Sequence, residues 1–272
     1  MNINYKEEVR GFERHLSLNK CVIMPKEDDE IGICKELSQI KSREYKGVTL
    51  DNGNIQKNFL SQISNLGIVT KAYYERKIPK TRIVRASSFR NGNAQIIGCH
   101  GKQLIYLTSK PFKDTDFIAY SHELGHVPSL ENPTKNGNEY FEYLEVLPMY
   151  FEYLACKTIN KELAYELFNQ IRLGISKDEA SIFLGANKEI NHKSNAPSNK
   201  DLFLETVKRE SYKYIKSMEY ALQLIERSNE DQYFVNQEID KIVVGDKSFK
   251  DSRKSLDINT SGCKKILELI RK

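Results

Sequence analysis

The chain has 272 residues, 39% of them apolar and 29% charged, with a net charge of +5. That length allows one large domain or two small ones with a real core, and the composition is that of a globular protein rather than a fibrous or disordered one. No run approaches the roughly 18 apolar residues of a membrane span, and Lys and Arg are scattered among Asp and Glu, so neither a membrane nor a nucleic acid is expected as a partner.

The N-terminal residues, Met1 to Glu8, lack the apolar stretch of a secretory signal, which leads to the expectation of a cytoplasmic protein. The five cysteines, Cys21, Cys34, Cys99, Cys156 and Cys263, form no C-x-x-C pair. Free thiols buried as small hydrophobes are expected, not a cysteine metal site or redox motif.

In chain order, the first 77 residues read as helical. Ile55, Phe59, Leu60, Ile63 and Leu66 repeat at helical spacing between Asn54 and Tyr74. The pattern then changes. Arg82 to Ala86 is short and β-branched. Ala94 to Cys99 and Gln103 to Thr108 flank His100-Gly101-Lys102, which predicts a hairpin within a small antiparallel sheet.

Asp114 or Thr115 could cap a helix through Phe117, Ile118, Tyr120, His122 and His126, and Pro128 and Pro133 would stop or bend it. A further helix is expected from about Asn138 to Lys157, with a kink at Pro148. Helical patterns continue over about Lys161–Leu173, Ser176–Lys188, Ser198–Arg227, Asp231–Val244 and Cys263–Arg271, with an exposed loop over Asn191–Asn199. The basic run from Lys241 to Lys254 is interrupted by Asp246 and Asp251 and reads as a solvated face. The whole is predominantly helical α+β in one domain, with 1–77 an N-terminal helical part and 78–272 a catalytic part.

Chemistry concentrates in Tyr120-Ser121-His122-Glu123-Leu124-Gly125-His126. This is H-E-x-x-H. Positions i and i+4 share a helix face, so His122 and His126 can hold one metal ion. Glu123 lies one step around the helix, where its carboxylate can reach a metal-bound water without ligating the ion. Gly125 leaves room for another helix to pack closely.

A third protein ligand is needed. His15, His100 and His192 read as ordinary surface or turn residues, and a carboxylate is the better candidate. Glu139, Glu142, Glu145 and Glu152 follow the motif. Glu145 stands out because it lies in the apolar stretch Tyr143-Leu144-Glu145-Val146-Leu147, where a glutamate needs a partner such as a divalent cation.

These motifs resemble the gluzincin metallopeptidases, and among them the oligoendopeptidase F and thimet oligopeptidase family. His122-Glu123-Leu124-Gly125-His126 matches the family's H-E-x-G-H, and Leu144-Glu145-Val146 with Glu152 is similar to its second motif. Ser211-Tyr212-Lys213-Tyr214 resembles the core of its downstream tyrosine-rich helix. The resemblance implies a zincin-like fold, one zinc ion held by His122, His126 and Glu145, and Glu152 as a supporting carboxylate. It implies Tyr214, and less directly Tyr212, as hydrogen-bond donors to the oxyanion. The chain departs from the family at Ser129, where many members carry another histidine, and over Glu205 to Glu210, which holds no counterpart of the histidine upstream of the tyrosines.

The function expected on these grounds is zinc-dependent hydrolysis of peptide bonds, acting on oligopeptides, with Glu123 as general base. The alternatives are a processing protease dedicated to one protein partner and a zinc-binding pseudoenzyme or interaction module.

Overall fold

A computed structural model of the protein describes residues 28–41, 45, 47–48, 55–85, 94–99, 102–107, 113–131, 143–191, 199–259 and 263–271. Expectations for His15, Cys21, His100, Pro133, Glu139, Glu142, His192 and the 192–198 loop lie outside the described residues.

The described helices are α1 (Asp28–Gln39), α2 (Ile55–Ile63), α3 (Ile68–Lys77), α4 (Asp114–Gly125), α5 (Val127–Glu131), α6 (Val146–Ile159), α7 (Ala164–Asn191), α8 (Asn199–Glu230), α9 (Gln232–Val243), α10 (Phe249–Ser255) and α11 (Lys264–Ile270). The strands are β1 (Thr81–Arg85), β2 (Ala94–Cys99) and β3 (Lys102–Leu107). The fold is predominantly helical α+β. Among the described residues, no helix is long and apolar enough to cross a membrane.

The helical stretch expected over Asn54 to Tyr74 is two helices. The chain turns at 64–67, where Gly67 meets Asp240 of α9. A Cβ on Gly67 would lie 2.1 Å from Asp240 Oδ2. Asp240 Oδ1 in turn accepts hydrogen bonds from the Thr70 backbone N–H at 2.8 Å and its hydroxyl at 2.6 Å. A carboxylate from another helix thus satisfies a free N–H in the first turn of α3.

The hairpin forms as expected, β2 pairing antiparallel with β3. The sheet is mixed rather than antiparallel throughout, because β1 runs parallel to β3 and the order is β1-β3-β2. A parallel neighbour needs a long connection, and the chain between β1 and β3, which includes β2, supplies it.

The helix that carries the histidines is capped at Lys113 rather than at Asp114 or Thr115. The Lys113 backbone N–H donates to Asp116 at 2.8 Å. Asp114 faces backward, accepting from the Val48 N–H at 2.9 Å and the Tyr45 hydroxyl.

The next helix begins at Val146, not near Asn138, so Pro148 causes no kink. It sits in the first turn of α6, where its missing N–H is needed by no helical bond. Lys161–Leu173 and Ser176–Lys188 are one 28-residue helix, α7. Gly174, in its interior, costs only about 1 kcal/mol against Ala and leaves it unbroken. Helix α10 was not foreseen within the basic run. Ser248 caps it, accepting from Asp251 N–H at 3.1 Å. Two lysines of that run, Lys241 and Lys247, neutralise the buried Glu238, so the face is only partly solvated. Cys34, Cys156 and Cys263 are buried free thiols, as expected.

An aromatic cluster joins the helices beneath the histidines. Phe59 of α2 meets Tyr74 of α3 at 5.2 Å between ring centroids, Tyr120 of α4 at 6.0 Å and Phe151 of α6 at 5.9 Å. Such pairs contribute about 0.5–1.5 kcal/mol each beyond area burial. Gln62 of α2 ties the same helices by polar contacts. It accepts from Ser121 Oγ at 2.9 Å and donates to the Phe151 carbonyl at 3.0 Å.

Candidate metal centre

Helix α4 presents His122 and His126 on one face, as the four-residue spacing requires. Their Nε2 atoms are 3.3 Å apart. Glu145, the residue immediately before α6, places Oε2 3.3 Å from His122 Nε2 and 3.4 Å from His126 Nε2. One ligand atom from each of the three residues lies within 4.8 Å of the others.

The approach of α6 to α4 is made possible by Gly125. A Cβ there would lie 2.5 Å from Pro148 Cα and 2.7 Å from Pro148 N. Tyr74 anchors the same end of α4, donating to the Leu124 carbonyl at 3.0 Å.

Further carboxylate and cation partners surround these ligands. Glu152, two helical turns after Glu145, puts Oε1 2.9 Å from His122 Nδ1. That leaves Nε2 turned toward Glu145 and His126. A carboxylate on the outer nitrogen of a metal-ligating histidine fixes its ring and tautomer. Arg172 of α7 holds Glu152 through Nε and a terminal nitrogen. Lys213 of α8 lies 3.4 Å from Glu145 Oε1. Glu145, Glu152, Arg172 and Lys213 are all buried, and buried charges of this kind persist when paired.

Arg172 and Lys213 were not singled out in the sequence. The signal was a charge on an apolar stripe. Phe168, Arg172, Ser176, Ala180 and Phe183 are all buried along α7, and Lys213, Ser217, Tyr220 and Leu224 along α8, at three- and four-residue steps.

In the metal-free state, burial works against a charged His122, but Glu152 and Glu145 outweigh it and raise its pKa to about 10. At His126 burial prevails, helped by the charges of His122 and Lys213, and the pKa falls to about 4. Burial favours the neutral acid of Glu145, yet His126, Lys213 and His122 hold it well below the usual carboxylate range. Glu152 is likewise lowered, Arg172 overcoming the effect of burial.

Glu123 is buried on α4, next in sequence to His122. The two tyrosines of α8 part company. Tyr212 is fully buried, its ring centroid 5.5 Å from that of Phe183. Tyr214 is half-buried, and the negative charge of Glu145 is the largest influence raising its hydroxyl pKa. It therefore stays protonated and able to donate.

The donor set fits a zinc-sized ion. Two imidazoles and one carboxylate are a three-ligand set of the catalytic zinc type. Glu145 Oε2 is buried, accepts no hydrogen bond of good geometry among the described residues and faces both imidazoles. A buried carboxylate oxygen that meets its neighbours only at 3.3–3.4 Å is poorly satisfied, and a cation at that point would satisfy it.

The helical arrangement, with a small sheet ahead of the histidine helix, is a zincin-like fold. Two solved structures share it. PZ peptidase A, solved with an inhibitor, superposes with a TM-score of 0.62 at 14% identity over 95% of this chain and 57% of its own. A protein described as oligoendopeptidase F superposes with a TM-score of 0.62 at 12% identity, again over 95% of this chain and 57% of its own. At that identity the likeness defines the fold, which is oligoendopeptidase F-like. The chain spans a little over half the length of either structure. No family model matches it, and no curated protein matches it by sequence.

Proposed function

We propose that the protein is a zinc-dependent metallopeptidase of the gluzincin type. The observation that carries this reading is the convergence of His122, His126 and Glu145 on one point, with Glu123 next to His122 on the same helix. The fold shared with two peptidases supports it.

Zinc at that point would polarise the scissile carbonyl and lower the pKa of a bound water. Glu123 takes a proton from the attacking water and later passes it to the leaving amine. Glu152, held by Arg172, keeps the His122 ring in place. Tyr214, protonated and half-exposed, donates to the oxyanion. Tyr212 lies in the core and supports α8.

An extended substrate can add to the sheet through β2, whose outer edge is unpaired among the described residues. β3 is central and has both edges taken.

The test is hydrolysis of a peptide library and of unfolded proteins by the zinc-loaded protein. Glu123→Gln should keep zinc and lose at least about 100-fold in turnover, and Tyr214→Phe should lose about 100-fold or more in kcat with zinc retained. Normal cleavage by Glu123→Gln would refute the mechanism. Zinc binding with no substrate cleaved would instead point to a pseudoenzyme.

A further inference from the structure

The two oxygens of Glu145 have different surroundings. Oε2 faces His122 and His126 and accepts no hydrogen bond of good geometry among the described residues. Oε1 faces the ammonium of Lys213 at 3.4 Å. Lys213 is 2% exposed, so it cannot reach a substrate. Its Nζ also lies 3.6 Å from Glu210 Oε1 and 4.6 Å from the centroid of the Tyr214 ring. The ammonium is thus held on three sides, by residues of α8 and by the residue that precedes α6.

A carboxylate can give a metal one oxygen or both. With both, a site of two histidines and one glutamate has four protein donors, and the position that a catalytic site leaves to water is filled. An ammonium at Oε1 competes for that oxygen and draws it away from the ion.

We infer that Lys213 is a positioning residue that restricts Glu145 to one-oxygen ligation and so keeps one metal position open. This rests on the metal-site reading above and assigns a role to a residue that neither ligates nor meets substrate. It also explains why a lysine occupies the apolar stripe of α8, where Leu or Met would pack without needing a partner.

The test is the crystal structure of the zinc-loaded protein, beside zinc-loaded Lys213→Met and Lys213→Arg, with the visible spectra of the cobalt(II)-loaded forms. In the wild type one Glu145 oxygen should bind zinc and the other should contact Lys213. In Lys213→Met both oxygens should move onto the metal in place of the water, the cobalt spectrum should shift as a water ligand is exchanged for a carboxylate oxygen, and kcat should fall more than KM changes. Lys213→Arg should restore the wild-type spectrum. Two-oxygen ligation in the wild type, or an unchanged spectrum and ligation in Lys213→Met, would overturn the inference and leave the metal site standing. A wild-type protein that takes up neither zinc nor cobalt would overturn both. If Lys213→Met does not fold, the wild-type ligation geometry decides by itself.

Discussion

Gly125 lies so close to Pro148 that a methyl group on it would sit 2.5 Å from the Pro148 Cα. Both partners are backbone, so neither can swing aside. The contact joins the end of the histidine helix to the first turn of α6, the helix that follows Glu145. It sets the distance between the two imidazoles and the Glu145 carboxylate.

Gly125→Ala should therefore act on the metal before it acts on the fold. Forcing α4 and α6 apart costs about 1–3 kcal/mol of stability, as other overpacked cores do. A displaced Glu145 should weaken zinc binding by about 10-fold or more, as loss of ligand positioning does elsewhere. Chemical denaturation and competitive zinc titration measure the two effects. Unchanged zinc affinity would mean that the helix contact does not set the ligand geometry.

Arg172 and Glu152 form a pair buried on both sides. Arg172→Met should cost about 3–5 kcal/mol, because it removes one partner of a buried ion pair and leaves the Glu152 carboxylate with His122 alone. Arg172→Met with Glu152→Leu should recover much of that stability. The double variant should still bind zinc less tightly than the wild type, since His122 loses the group that orients its ring. Thermal unfolding with and without zinc separates the two losses. A double variant with wild-type zinc affinity would show that Glu152 and Arg172 serve the fold alone.

Zinc affinity should rise with pH. In the metal-free protein, His122 is raised from its ordinary 6.5 to about 10, so near neutral pH it carries a proton that a metal must displace. Affinity should therefore climb by about tenfold per pH unit below that pKa, with about one proton released per zinc. The stability of the metal-free fold has the opposite sign. A raised pKa makes protonated His122 stabilising, fully so below pH 6.5, and this is lost as pH rises toward about 10. Calorimetric titration in buffers of different ionisation heat counts the protons. Zinc binding without proton release would contradict a protonated His122.

Much of the centre was legible in the sequence because its parts are short-range. H-E-x-x-H places two imidazoles on one helix face through the four-residue spacing alone. Glu145 declared itself as a charge inside an apolar run, and Gly125 as a site of close packing. The partners of these residues were less legible. Arg172 and Lys213 come from helices far along the chain, and nothing local says that a charge on an apolar stripe faces a particular carboxylate. Helix boundaries failed where a tertiary contact decided them. Asp240 starts α3 from another helix, and Pro148 opens α6 instead of bending it. The parallel pairing of β1 with β3 was hidden for the same reason, since hairpin signals report only neighbours in sequence.

The proposed holding of one catalytic metal by His122, His126 and Glu145 is tested most directly by the metal content of the native protein beside His126→Ala and Glu145→Ala. About one zinc per chain, lost or much weakened in both variants, is the expected result. No metal in the native protein even after zinc is supplied, or full zinc affinity retained in Glu145→Ala, would contradict it.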